Sequence, residues 1–383
     1  MSPMITDDGL SPSKRTTASF NAPGGGEGLT VPSQTGPAGP PELMACYREI
    51  LAEPKLSWVE QHHVVKRLGS GGQGVVYLCH RIGADQFTLP VALKIFSPEG
   101  YADVGSYDAA MARMAQVAVR VAQIQQDNLI DVHNLTAPNR VRILEMEWVE
   151  GYDLQELLTG GMLKRLRAVV SAERWAYLND VIVTEGVLQP RLKPGVAIAV
   201  LRDCLAALSA LHRDGIVHGD IKPSNIMVKR TGNAKLIDIG SAYEWALGSS
   251  ARICTPAYAA PEVLDGEGGS PRSDLASLGY VLVEMLAGAH PFASATTRED
   301  FREAKHSIVD RLADTLPDEV VRNELLMNLI GGLIAPNPFD RFPSAEAADL
   351  VEEGAASFHR QLIHGNLASE YGNEIRVWME EID

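Results

Sequence analysis

The stretch His218-Gly219-Asp220-Ile221-Lys222-Pro223-Ser224-Asn225 sets a carboxylate, an ammonium and a carboxamide close together in the chain. Phosphoryl transfer is a chemistry that uses such a trio. It asks little covalent work of the protein. It needs a carboxylate to orient the attacking hydroxyl, cations to neutralise a triphosphate, and hard oxygen ligands to place a divalent metal. In those roles Asp220 orients the hydroxyl, Lys222 offsets charge on the transferring group, and Asn225 offers a neutral amide oxygen to Mg2+. A second aspartate, Asp238, ends the apolar run Leu236-Ile237 and precedes a glycine bend at Gly240. Taken alone, either aspartate could be a turn residue or a helix cap.

A phosphate-holding element is also present. Leu68-Gly69-Ser70-Gly71-Gly72-Gln73-Gly74-Val75-Val76 lies between two strand-like runs. Glycine lets the backbone approach phosphate oxygens and aim its N–H groups at them. An ordinary hairpin turn would read similarly. The strand-to-strand setting disfavours a dinucleotide site, where the motif must open a helix. The next apolar run, Val91-Ala92-Leu93-Lys94, carries a lysine that is costly to bury without anionic partners. The alternative is a lysine snorkelling from an edge strand.

The elements that must position these residues follow from pattern. Residues Met1 to Pro41 are rich in Gly, Pro, Ser and Thr, with low-complexity pieces at Ala22–Gly28 and Gly36–Pro41, and are expected to be disordered. Glu42–Ala52 has helical apolar spacing and leads in over residues 42–61. From His62, β-branched runs at Val64–Leu68, Val75–Cys79, Pro90–Phe96, Leu129–Leu135 and Val141–Trp148 predict an antiparallel sheet, with one helix at Met111–Gln126. After Gly151 the texture is helical, chiefly at Val196–His212, Leu275–Gly288, Asn323–Ile334 and Ala345–Leu362. Leu163–Lys193 has a mixed pattern suggesting an insertion. The expected architecture is α+β and bilobal, a small β-rich lobe over 62–147 and a large α-helical lobe over 151–355. A helical extension over 356–383 is expected to pack on the large lobe.

The net charge of −15 argues against a chain built to coat nucleic acid or anionic lipid. Cys46, Cys79, Cys204 and Cys254 form no Cys-x-x-Cys pair, so scattered reduced thiols are expected rather than disulfides or a zinc site. No basic-then-apolar leader is visible, and the most apolar segments are broken by charge. The sequence thus leads one to expect a soluble, cytoplasmic protein with no membrane span and no nucleic-acid partner.

These motifs, in this order, resemble the eukaryotic-like, bacterial-type serine/threonine protein kinases. Val91-Ala92-Leu93-Lys94 is similar to their third-strand V-A-I-K, and Asp238-Ile239-Gly240 to their D-F-G, with Ile239 for Phe. Thr255-Pro256-Ala257-Tyr258-Ala259-Ala260-Pro261-Glu262 resembles the T-P-x-Y-x-A-P-E end of an activation segment. Ser273-Asp274 resembles the start of the following helix, whose aspartate braces the catalytic loop. Asn337–Ser344 resembles the closing arginine motif, pairing Arg341 with Glu262. The resemblance runs from about His62 to Leu350. It implies ATP between the lobes, lined by Leu68, Gly69, Ser70, Gly71, Gly72, Gln73, Gly74, Val76 and Ala92, with adenine at the hinge Met146-Glu147-Trp148-Val149. Met146 would be the gatekeeper. It implies Lys94 on the α and β phosphates, Asp238 and Asn225 on Mg2+, and Asp220 as the base. Asp153 would touch the ribose or cap a helix. Lys222 with Thr255 marks Ser or Thr acceptors on a protein substrate.

His-Gly-Asp is also the pattern of aminoglycoside and choline kinases, but those usually lack a lysine at the position of Lys222 and the landmarks from Thr255 onward. Three departures from the protein-kinase pattern stand out. No glutamate falls on the helix that should support Lys94: Glu99 is too close to the strand, the expected position is about Gln116 or Val117, and Asp108 is an outside candidate. That omission leaves a nucleotide-binding pseudokinase as the rival reading. Cys254 stands where glycine is common, as a small filler or an exposed thiol. Gly219 replaces the arginine that would receive an activation-loop phosphate, so phosphorylation at Ser249 or Ser250 loses its guanidinium partner. Replacing both serines by alanine is therefore expected to leave the kinase rate intact; a large loss of rate would refute this.

Overall fold

The computed structural model describes residues 39–52, 55–56, 62–247, 254–352, 354–364 and 371–382. The expected disorder of the N-terminal segment falls almost wholly outside these residues, and so do Ser249 and Ser250.

The small lobe is one antiparallel sheet with a helix on each face. Helix α1 (Pro41–Ala52) precedes β1 (Lys55–Leu56), β2 (His62–Gly71), β3 (Gly74–Ile82) and β4 (Thr88–Phe96); α2 (Val104–Val121) then leads to β5 (Val132–Thr136) and β6 (Ile143–Glu147). The strand order is β1-β2-β3-β4-β6-β5. The two-residue alternation of β4 decides what each face does. Val91, Leu93 and Ile95 pack with Tyr47 and Ile50 of α1. Ala92 and Phe96 face the other way, into the core that contains Tyr107, Met111 and Met114 of α2. Lys94 shares that second face.

Helix α2 begins well before the expected Met111 and ends at Val121 rather than Gln126. Its start is a reciprocal cap: the Ser106 amide donates to Asp103 Oδ1 at 2.7 Å while the Ser106 hydroxyl serves the Asp103 amide. The apolar period alone did not show this signal. The helix is tethered at both ends. Asp108 pairs with Arg140 and with Arg142 (2.7 Å), on the hairpin between β5 and β6. Arg120 pairs with Asp214 (2.9 Å) and Glu244 (3.3 Å) in the large lobe.

The large lobe is built on the helices Pro194–Arg213, Pro271–Ala287 and Glu324–Ile334. In the second of these every residue from Ser273 to Ala287 is buried, which fits its near-continuous apolar run. The first is longer and more apolar than the sequence reading allowed: it has the length and composition of a membrane-crossing helix, with about 67% of that stretch buried inside the fold. Short strands finish the lobe: β7 (Gly151–Asp153), β8 (Val183–Thr184), β9 (Arg191–Leu192), β10 (Ile216–Val217), β11 (Ile226–Lys229), β12 (Ala234–Leu236) and β13 (Tyr243–Glu244). They pair as β12-β11-β7, β10-β13 and β8-β9. The mixed stretch Leu163–Lys193 forms the helices Gly160–Val169 and Ala172–Val181 and the β8–β9 hairpin. The C-terminal helix Tyr371–Ile382 packs on it, burying Trp378 and Met379 and pairing Glu381 with Arg174 at 2.7 Å.

Arg341 and Glu262 form the expected ion pair. Two guanidinium–carboxylate bonds of 2.7 and 2.8 Å join them, and Ser273 donates to the same carboxylate at 2.7 Å. Burial alone would raise the Glu262 pKa; Arg341 and Ser273 outweigh it and hold the carboxylate below its usual range.

Asp153 caps the short helix Leu154–Leu157, accepting from the Glu156 amide at 2.8 Å, and is 3% exposed. Burial, only partly offset by that amide, pushes its pKa up to about 7. A carboxyl whose folded pKa is raised holds its proton better in the folded than in the unfolded chain. Its ionisation therefore lowers stability as pH rises from about 4 to about 7, and the loss is complete above that. Asparagine caps equally well without the charge. Asp153→Asn is accordingly expected to melt higher than wild type at pH 8, with the two curves converging near pH 4. Equal melting temperatures at pH 8 would contradict it.

Candidate active site

The β2–β3 hairpin forms a roof over the gap between the lobes. Its pairing runs Gly69–Val76, Ser70–Val75 and Gly71–Gly74. A side chain built at Gly71 or Gly72 would meet nothing within 4 Å, so the tip of the turn is uncrowded. The cleft below has a volume of about 380 Å3. Of the residues expected from sequence, Leu68, Gly69, Ser70, Gly71, Gly72, Gln73, Gly74, Val76, Ala92, Lys94, Met146, Glu147, Trp148, Asp220, Lys222, Asn225, Asp238 and Thr255 all line it. Asp153 does not: its carboxylate is committed to the helix cap. Val149, the end of the expected hinge, lines the cleft too, and the sequence reading missed Ile130, Gln155, Ser224, Met227 and Ile237, which also line it. Val149 was legible as the last residue of the hinge; Met227 and Ile237 needed knowledge of which strand face is turned to the gap.

Lys94 sits on β4 opposite Val76 and Leu144 and is 4% exposed. An ammonium so buried needs polar or anionic partners. It donates to Asp238 Oδ1 at 2.5 Å and to Gln73 Oε1 at 2.6 Å. Gln73 in turn donates to the Ser241 hydroxyl at 2.7 Å, and its carbonyl accepts from the Ser97 amide at 3.0 Å. Helix α2 contributes nothing to Lys94. At the expected position Gln116 points to solvent and Val117 is buried at 3%; Asp108 is held by the two arginines already described. The face of α2 next to the Ile239–Ser241 turn is apolar. The loop glutamine therefore occupies a role that the sequence reading assigned to a helix.

Asp238 sits at φ 68°, ψ 83°, a left-handed conformation unusual for a non-glycine residue and typical of functional sites. Its Oδ1 also accepts from the Gly240 amide at 2.9 Å. The lack of a side chain at Gly240 leaves room for this pair: a Cβ there would lie 2.5 Å from Gln73 Oε1 and 2.7 Å from Lys94 Nζ and would displace both side-chain ends. Burial would raise the Asp238 pKa, but the Lys94 ammonium and the Gly240 amide outweigh it and hold the value at about 2.

The catalytic loop hangs from Asp274. This buried carboxylate accepts from the amides of His218 (2.8 Å) and Gly219 (2.9 Å) and bonds to His212 Nε2 (2.9 Å). Gly219 has φ +76°, and a Cβ there would approach the Tyr243 ring at 3.0 Å and the Ser241 carbonyl at 3.1 Å. The arginine usual in the family pattern is thus disfavoured here by a left-handed turn and by Tyr243 beside it. Asp220 gathers the remaining groups. Lys222 donates to its Oδ2 at 2.7 Å, Thr255 donates to its Oδ1 at 2.8 Å, and Lys222 also reaches the Thr255 hydroxyl at 3.2 Å. The Asn225 carboxamide nitrogen donates to the Asp220 carbonyl at 2.7 Å and to Oδ2 at 3.2 Å.

A cation would be held here by few protein ligands. Among the described residues no three His, Cys, Asp or Glu side chains cluster as a metal cage. The nitrogen of Asn225 is committed to Asp220, which leaves its amide oxygen as the atom a cation could use. Together with the ionised Asp238 this is a hard-oxygen set of the kind Mg2+ takes when phosphate oxygens and water complete the shell. The residues fit that ion and do not fit zinc. On the hinge, Glu147 is tied down by Lys235 and accepts from the Asp131 amide at 2.8 Å, so its side chain braces the hinge backbone.

Comparison with known proteins agrees with this geometry. A family model described as the protein kinase domain matches residues 62–351. Serine/threonine-protein kinase PknL of Mycobacterium tuberculosis is 29% identical over 296 residues, covering 75% of this chain and 64% of that protein. Serine/threonine-protein kinase PrkC of Bacillus subtilis is 27% identical over 295 residues (75% and 39%), and PknD of Mycobacterium tuberculosis is 28% identical over 293 residues (74% and 38%). The chain thus spans between about two-fifths and just under two-thirds of the length of these relatives. With a matching model over most of its length and a two-lobed cleft carrying the motifs in order, the chain belongs to the protein kinase domain family.

Proposed function

We propose that this chain is an ATP-dependent serine/threonine protein kinase. The observation that carries the reading is the triangle of Asp220, Lys222 and Thr255, set in the same cleft as the Lys94–Asp238 pair. In this reading the acceptor hydroxyl takes the place that Thr255 now holds against Asp220 Oδ1. Asp220 orients it for in-line attack and accepts its proton late, and Lys222 lies beside the same carboxylate to offset charge on the transferring group. Lys94 neutralises the α and β phosphates under the glycine turn. Asp238 and the Asn225 amide oxygen would hold Mg2+, which would supply positive charge to offset that of the phosphates. Leu68, Val76, Ala92 and Met227 provide the apolar slot for adenine beside the hinge. Positioning and electrostatics supply the acceleration, and no covalent intermediate is needed.

One feature favours a second reading, a nucleotide-binding pseudokinase: helix α2 offers Lys94 no carboxylate. The Gln73 contact answers it, because Lys94 keeps two side-chain partners without the helix and has a third donor left for phosphate.

The test is transfer of labelled γ-phosphate with Mg2+ and ATP to a protein acceptor and to an aminoglycoside. Wild type is expected to label the protein alone. Asp220→Ala and Asp238→Ala are each expected to lower the rate by at least about 10^3-fold, the scale of lost orientation and charge stabilisation. Transfer that survives both substitutions, or labelling of the aminoglycoside alone, would sink the proposal.

A further inference from the structure

Lys305, on the helix Arg298–His306, has no exposed surface. Its ammonium donates to three main-chain carbonyls: Pro256 at 2.7 Å, Ala257 at 2.8 Å and Ala259 at 2.7 Å. An ammonium has three protons and no acceptor, so these carbonyls consume its hydrogen-bonding capacity. Three rings surround it, Tyr280 and Phe292 at 4.8 Å and Phe301 at 5.6 Å from Nζ to centroid. Among the described residues it is bonded to no carboxylate, and Glu262, whose charge reaches it, is committed to Arg341. Burial pushes its pKa well below the ordinary lysine value. A buried cation without an ionic partner is a costly feature, and methionine of similar length would fill the same space.

The three carbonyls identify what that cost secures. They belong to the four residues after Thr255, whose hydroxyl donates to Asp220 Oδ1 at 2.8 Å. A protein chain that presents a hydroxyl to Asp220 must run its neighbouring residues past this stretch. Three carbonyls drawn onto one nitrogen fix the stretch as an arc. Its far side is pinned separately: Tyr258 donates to Glu284 at 2.7 Å, and Gln189 donates to the same carboxylate at 3.0 Å. Ala257 and Ala259 are small and nearly buried, so the backbone itself forms the wall.

We infer that Lys305 is a positioning residue for the acceptor chain, holding Pro256–Ala259 as the surface on which residues next to the phosphorylated Ser or Thr are seated. This rests on the protein-kinase reading and adds the element that seats its substrate. Lys305 touches neither nucleotide groups nor Asp220, so its effect should fall on the acceptor side alone.

The experiment uses the full chain with Lys305→Met and Lys305→Arg. Three quantities are read: kcat/KM for a protein acceptor, KM for ATP together with the rate of ATP hydrolysis by water, and the rate of maleimide labelling at Cys254 followed by peptide mass spectrometry. Cys254 is half-buried and adjoins Thr255; the Lys305 charge favours its thiolate, so losing that charge alone would slow labelling and faster labelling reports release of the arc. Lys305→Met is expected to lower acceptor kcat/KM by about 10-fold or more through KM, to leave ATP KM and hydrolysis within about 2-fold, and to speed Cys254 labelling. Lys305→Arg, which keeps the charge and donors, is expected to show the same split at smaller size, and serves if the methionine variant does not fold. Unchanged acceptor kinetics, or an equal fall in transfer and hydrolysis, would overturn the inference. Absence of protein labelling by wild type would instead remove the kinase reading; the Cys254 rate needs no activity, and a rate unaffected by either substitution would still overturn the role given to Lys305.

Discussion

The ion pair between Lys94 and Asp238 is the contact on which the rest of the site depends. Lys94 belongs to the small lobe and Asp238 to the large one, so the 2.5 Å bond is also a tie across the cleft. A lysine that buried is tolerated only with an anionic partner, and an aspartate that ionised only with a cation beside it. Each therefore fixes the other. Around them the backbone is bent to suit: Asp238 takes a left-handed conformation, Gly240 leaves room for two side chains, and Gln73 closes the loop onto the pair. A metal and a triphosphate would enter a site whose charges are already arranged, and this is how positioning lowers a barrier.

The remaining ionic contacts divide the structural labour. Asp274 suspends the catalytic loop by two amides, so that Asp220 is placed by main chain rather than by a flexible side chain. Arg341 and Glu262 anchor the end of the segment that begins at Thr255, with every guanidinium nitrogen bonded. Lys305 shapes the middle of that segment from behind. Arg120 ties the end of α2 to Asp214 and Glu244, which keeps the helix in place although it gives Lys94 no ligand. The structure thus separates holding the helix from holding the lysine, two tasks that one helix glutamate would have combined.

Much of the site was legible because its motifs are local. Asp220, Lys222 and Asn225 fall on one short loop, and the chain between them fixes how far apart they can be. Val91-Ala92-Leu93-Lys94 announced itself as a strand with one polar residue on the cleft face, and the glycines between two strands could only be a turn. What escaped was set by contacts between distant segments. Gln73 read as one more residue of a glycine loop; its bond to Lys94 depends on how β2–β3 folds over β4. Asp153 was readable as either a ribose contact or a cap, and only the burial around β7 decides for the cap. The start of α2 was misjudged because Asp103 and Ser106 act through hydrogen bonds, whereas the apolar period begins later. Lys305 drew no notice in the sequence, because two of the rings that bury it, Tyr280 and Phe292, come from outside its own helix.

The central claim is that Lys94 and Asp238, completed by Gln73 instead of a helix carboxylate, form a working site for a metal-bound triphosphate. Equilibrium binding of ATP, measured with Mg2+ and with EDTA, tests it most directly. The account predicts that wild type binds ATP more tightly when Mg2+ is present, that Lys94→Met weakens binding by about 10-fold or more, and that Asp238→Asn removes the Mg2+ dependence. ATP affinity that is indifferent to Mg2+ and to both substitutions would contradict it.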